Sequence, residues 1–465
     1  MKRIVLLLSS LLLLCSCANK AMTRYETLAP VMEKKGFSGT IKEIDKKKDD
    51  LYGEKSAYLY HFDLGTLYHY NGEYEKSSMH LEQAEQIYDD LYTRSVTNEA
   101  AAVVTNDNVR PYRARPFEII VMHQLQIMNY LAMKNVDDAL VEVKRAQIAL
   151  DALYQKDKDK VNDNGFLRYL CGIVYEMAGE DDDAAIAYIK AAKAFKEGNI
   201  DMPKEVWEFI CESLTRMDRV SDLNALGYKP VESTPKADDV RKLGQEIVLV
   251  GYAGHSPILG ELYMSGTFIS GGSMHLNYKD AKTGNISSLT LVAPIVPNAG
   301  SETFHIGFAL PEKKPLKQVT HHFFAKLDNS LKVMPERVMN VDNELTKNIE
   351  EETPVTIGRT ALRVVVRTIA AQATKKATQT GNGLFDLVKN IGVDVAQSQL
   401  EQADLRVGLF MPNYIYVARI PVEAGTHTLN VKAINKDNQP VDDFNFNSIN
   451  VAKGQKRFLF VPSIR

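Results

Sequence analysis

The stretch His61–Tyr92, HFDLGTLYHYNGEYEKSSMHLEQAEQIYDDLY, constrains this chain more than any other. Its apolar and small residues recur at helical spacing, stop at Gly72, and resume at helical spacing beyond it. Leu64, Gly65 and Tyr68 belong to a first helix, Gly72 and Tyr74 to a turn, and Leu81 and Ala84 to a second helix. Gly65 has no side chain, so a neighbouring helix can come close. Tyr68, Leu81 and Ala84 then fill the space between the pair. One such unit cannot bury its own apolar face and requires stacked neighbours.

Neighbours follow. Glu118–Leu150 places Tyr130, Ala139, Val143 and Ala146 where the first stretch has Tyr68, Ser77, Leu81 and Ala84. Ile127 stands at the glycine position, which predicts a wider helix pair. Phe166–Lys196 is the most complete unit, with Gly172, Tyr175, Gly179, Ala184, Tyr188 and Ala191 in place. Lys204–Leu226 carries Trp207, Ile210, Cys211 and Leu214 on one stripe, and Gly227 and Pro230 end it. A degenerate unit precedes them, with helices at Tyr25–Lys35 and Thr40–Asp50 separated by Gly36-Phe37. The pattern resembles the tetratricopeptide (TPR) repeat. That resemblance implies a helical solenoid whose concave face binds an extended peptide or another helix. Most of its tyrosines are packing residues; Tyr70 and Tyr74 are the candidates for lining the groove. The long loop Thr93–Pro116 ends in VRPYRARP, and Arg110, Tyr112 and Arg113 make it a candidate partner contact.

The N-terminus carries a second pattern. Met1-Lys2-Arg3 is basic, and Ile4–Leu14 is an apolar run too short to span a bilayer. Leu14-Cys15-Ser16-Cys17 resembles a bacterial lipobox, with Leu14 at −3 and Ser16 at −1 relative to Cys17. The resemblance implies cleavage before Cys17 and its lipidation, with enough acyl chains for stable anchoring. With Ala18 and Asn19 following, and no Asp at +2, the sorting pattern points to the outer membrane, facing the periplasm. Cys171 and Cys211 then form either one disulfide or two buried thiols.

Residues 228–243 read as a polar linker, after which the period changes from helical to strand-like. Glu246–Ala253 is an apolar strand run, followed by the turn Gly254-His255-Ser256-Pro257. Further strands are expected at Leu262–Ile269, Ser273–Tyr278, Ser287–Pro294, Thr303–Ala309 and His321–Leu327. Beyond an insert, strands are expected at Leu405–Met411, Ile415–Pro421, Gly425–Ile434, Phe444–Val451 and Gln455–Val461. The insert, about 355–403, reads as two amphipathic helices, Val355–Thr378 and Leu384–Ala403. It either covers the sheet or faces a partner or membrane; the arginines within Leu362–Ala371 exclude a membrane span. The fold class is therefore α+β. A TPR-like helical solenoid (58–227, after a signal peptide at 1–16 and a tether with a degenerate repeat at 17–57) precedes an antiparallel, sandwich-like β domain (244–465).

A formal charge of −3 argues against nucleic acid as the main partner. No metalloprotease, P-loop or nucleophile-elbow motif appears, and no cofactor is implied. His321-His322 alternates across a strand and cannot jointly hold a metal. Glu180-Asp181-Asp182-Asp183 fits the start of a helix, where carboxylates complement the dipole. The chain as a whole resembles a little-characterised family of bacterial TPR-containing lipoproteins. Its marks are the Cys17 lipobox, the repeats, and a C-terminal block of Gly254-His255-Ser256-Pro257, Gln402-Ala403-Asp404-Leu405-Arg406, Arg419 and Gly425-Thr426-His427. The Asp404–Arg406 pair is expected to hold the inserted hairpin to the sheet. The implied function is a non-enzymatic, lipid-anchored envelope scaffold that binds a protein partner in envelope biogenesis or secretion. A SusD-type glycan receptor is the alternative, which exposed coplanar tyrosines would favour. A cell-wall hydrolase is the third reading, and it requires His255 and Ser256 to converge with a carboxylate.

Overall fold

The computed structural model describes residues 20–95, 110–156, 163–198, 202–225, 227, 244–269, 271–279, 285–292, 303–350, single positions between 353 and 363, and 403–464. Cys17, the residues 1–16 expected to be a signal peptide, the expected linker at 228–243 and most of the expected helical insert at 355–403 lie outside the described residues.

Helices form the N-terminal half and sheets the C-terminal half. Helix α1 (Lys20–Lys46) breaks at Gly36, whose φ of 63° and ψ of −164° lie outside helical space. The short α2 is Lys48–Leu51. Three hairpins follow: α3 (Ala57–Tyr70) with α4 (Tyr74–Ser95), α5 (Pro116–Ala132) with α6 (Val136–Lys156), and α7 (Gly165–Ala178) with α8 (Asp181–Glu197). Helices α9 (Lys204–Arg216) and α10 (Val220–Ala225) complete the layer.

The glycines do what their spacing predicts. A Cβ at Gly65 would lie 2.6 Å from the Leu81 side chain, and one at Gly172 2.3 Å from the Tyr188 ring, so each helix pair closes at its glycine. Gly179 ends α7 in the left-handed region, and Asn164 caps its start by accepting from the Leu167 amide at 2.9 Å. In helix α5 every residue from Phe117 to Asn129 is buried, the polar Glu118, His123, Gln124, Gln126 and Asn129 among them. Such a helix must be covered all round.

Among the described residues, the C-terminal half holds three sheets of four strands each. The first has the order β12 (Lys456–Ser463), β1 (Glu246–His255), β9 (Pro412–Pro421), β8 (Glu336–Asn340). Within it β1 pairs parallel with β12 and antiparallel with β9. The second is antiparallel, with the order β11 (Pro440–Val451), β10 (Gly425–Ile434), β6 (His322–Leu327), β7 (Leu331–Val333). The third, also antiparallel, has the order β4 (Ile286–Val292), β3 (Ser273–Lys279), β2 (Ile258–Ile269), β5 (Thr303–Lys314) and its own small core around Met264, Phe268 and Phe308.

Strand β1 explains the layering. Successive side chains on a strand point to opposite faces. Val248, Val250 and Tyr252 enter the core shared with the helices, whereas Ile247, Leu249 and Ala253 enter the core shared with the second sheet. The first sheet thus lies between the helical layer and the second sheet, which is why EIVLVGYA is apolar without alternation.

Three expectations need correction. Leu405–Met411 is not a strand; 403–411 is a buried, irregular segment. Strands β7 and β8, and a helical stretch at 341–350, were not anticipated from the pattern. Asp404 and Arg406 pair at 2.7 Å, but Arg406 Nη1 donates to the Lys55 and Arg110 carbonyls, so the pair fastens 403–411 to the helical half rather than to a sheet.

Candidate functional site

The first helices of the hairpins face the sheets, and the groove they form is filled by the chain itself. Segment 403–411 lies against α1, α3 and α5, held through its backbone by buried side chains. Leu409 N–H donates to Asp63 Oδ1 at 2.8 Å, and Gly408 N–H to Glu118 Oε1 at 2.8 Å. Arg24 donates to the Val407 carbonyl, and Arg115 Nη1 to the Arg406 carbonyl at 2.7 Å. Gly408 is required here, since a Cβ would lie 2.6 Å from the Phe62 ring. Burial pushes the Asp63 carboxyl up to about 6, although Arg24, the Leu409 amide and the Tyr52 hydroxyl pull the other way. Glu118 is raised for the same first reason.

This seam decides the fate of the expected partner-binding residues. Tyr70 is 6% exposed, and its hydroxyl donates to the Phe410 carbonyl at 3.1 Å. Tyr112 is 3% exposed; its hydroxyl donates to Glu118 Oε2 at 2.7 Å and its ring lies under the Arg406 guanidinium. Neither can meet a partner, because both are bound within the chain. Tyr74 is half-buried against His69 and Phe460. Arg110 is half-buried and its carbonyl accepts from Arg406, while Arg113 is exposed. The five are therefore not one surface.

Beside the seam, His69 donates from Nδ1 to Asn129 Oδ1 at 2.7 Å, and its Nε2 meets the Tyr252 hydroxyl at 2.8 Å. Asn129 passes the chain on to Ser77, and Ser77 to the Gly65 carbonyl. Burial lowers the His69 pKa to about 4, so the ring is neutral. A second buried polar cluster ties α7 to the first sheet. Arg419 Nε donates to Glu246 Oε2 at 2.9 Å, Arg419 Nη2 to Glu176 at 3.1 Å, and Lys456 lies 2.8 Å from Glu246. Burial alone would raise both carboxyls; Arg419 and Lys456 outweigh it and hold them below the ordinary range. The adjoining cavity, about 20 Å³, is too small for a ligand.

His255 and Ser256 do not form an activated pair. His255 Nδ1 donates to the Ser256 carbonyl at 2.8 Å rather than meeting its hydroxyl, and Gln318 clamps the His255 backbone through both amide atoms. Cys171 and Cys211 are buried and form no disulfide, and burial pushes the Cys171 thiol up to about 12.

The open site lies on the other side of the helical layer. A cleft of about 540 Å³ runs between α4 and α6, with α5 as its floor. Its α4 wall carries Glu82, Glu85 and Asp89; its α6 wall carries Ile148, Ala149, Ala152 and Leu153. Arg145 reaches Glu85 at 3.2 Å, and the Tyr130 hydroxyl donates to Glu82 at 2.9 Å. At the floor, His123 donates from Nδ1 to the buried Glu142 at 2.6 Å. Burial opposes a charge on His123, but Glu142, Glu85 and Asp89 together raise its pKa. Sequence reading missed this cleft because its walls belong to helices that are not adjacent in sequence. The visible clue was Ile148, a large apolar residue on a helix face that the repeat pattern leaves outside the core. Among the described residues no helix is long and apolar enough to cross a membrane, and no group of three potential ligands gathers to hold a metal ion. No protein-family model matches this chain, and no curated protein sequence matches it.

Proposed function

We propose that this protein is a lipid-anchored scaffold of the bacterial cell envelope, tethered through Cys17, whose TPR-like helical layer binds a protein partner. The reading extends the resemblance to TPR-containing lipoproteins. It is supported above all by one observation: the helical layer is covered by its own chain on the sheet side yet carries a cleft of about 540 Å³ on the other. That volume falls in the range of binding sites, roughly 300–1,000 Å³. Its acidic and apolar walls offer recognition chemistry. A glycan receptor gains nothing from the arrangement, since Tyr58, Tyr60 and Tyr70 are buried rather than displayed as a platform.

Two measurements test the proposal. A photo-reactive residue at Gln86, inside the cleft, should capture a defined envelope protein in cells, and one at exposed Asp182 should not. If Gln86 and Arg113 both capture no protein, the scaffold reading is wrong. Cys17→Ala should release the protein from the membrane fraction; continued membrane attachment would remove the lipid anchor from the proposal.

A further inference from the structure

Gly65 has an effect beyond packing. Because the Leu81 side chain sits on it, α3 and α4 run close together at that level. His61 precedes Gly65 by about one turn of α3, and His80 directly precedes Leu81 on α4. The close approach brings their imidazoles together. The two Nδ1 atoms lie 3.1 Å apart, and both residues are half-buried rather than sealed in the core.

Aromatic rings hold the pair. Tyr68 stacks on His80 with centroids 5.4 Å apart and planes 14° apart, and Tyr60 meets His61 edge-on at 5.0 Å. Tyr60 is fixed in turn by its hydroxyl, which donates to Asp45 at 3.3 Å, and by the Lys48 ammonium 4.4 Å over its face. Burial first, and the Lys48 charge with it, lowers both histidine pKa values to about 4. Both rings are therefore neutral at pH 7. A neutral imidazole has one N–H and one bare nitrogen, so one Nδ1 donates and the other accepts.

The same spacing fits a shared ion. A bond from zinc to imidazole nitrogen is about 2.0–2.1 Å long, so two nitrogens on one ion stand about 2.9 Å apart at a right angle and about 3.4 Å apart at the tetrahedral angle. The observed 3.1 Å falls between these limits. One ion reaches both Nδ1 atoms once the donor ring moves its proton to Nε2, with no net proton released. Imidazole selects copper, zinc and nickel over magnesium and calcium, which take oxygen ligands.

We infer that His61 and His80 form a two-nitrogen site for a divalent transition-metal ion of the copper, nickel and zinc group, with water in the remaining positions. Two protein ligands make the ion exchangeable rather than a structural staple. Lys48 opposes the bound charge, so the site carries a signature: removing that lysine strengthens it. Copper binds such donors most tightly in the divalent series and is the probe of choice.

The metal-free full chain is titrated with Cu2+ against glycine as competing ligand. Wild type should bind one more copper than the His61→Phe, His80→Phe double variant, and the spin-echo spectrum of that difference should show two imidazoles. Each single variant keeps an aromatic ring against its tyrosine. Each should weaken this copper by at least about tenfold, since losing even the support of a ligand costs that much, and should leave one imidazole. Lys48→Gln should tighten it. His275→Ala, at an exposed position of the third sheet, should change nothing. A wild-type spectrum with one imidazole or none would mean a hydrogen-bonded pair only, and it overturns the site without any variant having to fold. Equal copper binding by wild type and the double variant overturns it too, with circular dichroism and the urea midpoint showing that the variant is folded. The scaffold reading does not depend on this ion and stands or falls at Gln86.

Discussion

His69 and Asp63 sit on neighbouring turns of α3, both fully enclosed, and acid acts on them with opposite signs. The His69 pKa falls from 6.5 to about 4 in the fold because burial penalises its charge. The stability tied to its neutral form is therefore present above pH 6.5 and lost as pH falls towards 4. Asp63 moves from 3.8 up to about 6, again first because of burial. Its folded carboxyl holds a proton more tightly than the unfolded one, so its contribution is full below pH 3.8 and is lost as pH rises to 6. Each effect is worth about 3 kcal/mol at its limit. We expect His69→Gln to flatten the acid limb of a urea-denaturation series between pH 6.5 and 4. Asp63→Asn should show a larger deficit against wild type at pH 4 than at pH 7; deficits independent of pH would refute the assignment. At Gly408 the effect is steric. Gly408→Ala places a methyl 2.6 Å from Phe62, and overpacking of this kind costs about 1–3 kcal/mol, readable as a lower denaturation midpoint. Much at this scale was legible in the sequence. Gly65 and Gly172 announced their close helix contacts through spacing alone. Tyr70 is buried where its helical spacing looked the same as that of an aromatic facing solvent, and Tyr112 lies in a loop whose sequence carries no sign of its burial beside Arg406.

Among the elements, the segment 403–411 was the least legible. LRVGLFM reads as a strand, yet its backbone partners are carboxylates and guanidiniums on three helices. No local pattern encodes a contact such as Leu409 with Asp63, 346 positions apart. The strand runs β1, β9, β10 and β12 were legible within a few residues, since burial on one or both faces leaves a periodic or continuous apolar record. Strand β7 spans three residues and carries too little pattern to be seen. Between α7 and the first sheet, Arg419 makes a sharper prediction. Arg419→Met leaves Glu176 and Glu246 buried with Lys456 as their chief compensation, and breaking one side of a buried ion group costs about 3–5 kcal/mol. Adding Glu246→Gln should recover part of that loss, because the uncompensated charge is removed with its partner. If the double variant is as unstable as the two single losses summed, the cluster does not act as a unit.

At the scale of the molecule, the helical layer and the first sheet share one core that includes Phe62, Met128, Tyr252 and Phe460. The sequence suggested two domains joined by a linker and could not show that they are one body, because that interface is written in unrelated stretches of chain. A shared core predicts a single cooperative transition. Trp207, the chain's one tryptophan, lies buried in α9, so its fluorescence and the far-UV circular dichroism should follow the same urea curve. Separated midpoints would show the halves unfolding independently. The parallel pairing of β1 with β12 carries a consequence for how the protein is made. Strand β12 emerges about two hundred residues after β1, and the seam at 403–411 emerges later than every helix it touches. During synthesis the helical hairpins must therefore persist with their sheet-facing sides uncovered, and such surface is prone to aggregate until it is met. A chain interrupted anywhere before residue 403 presents that uncovered face to the cell's chaperones and proteases. Completion of the last strands becomes the checkpoint that separates a usable molecule from waste.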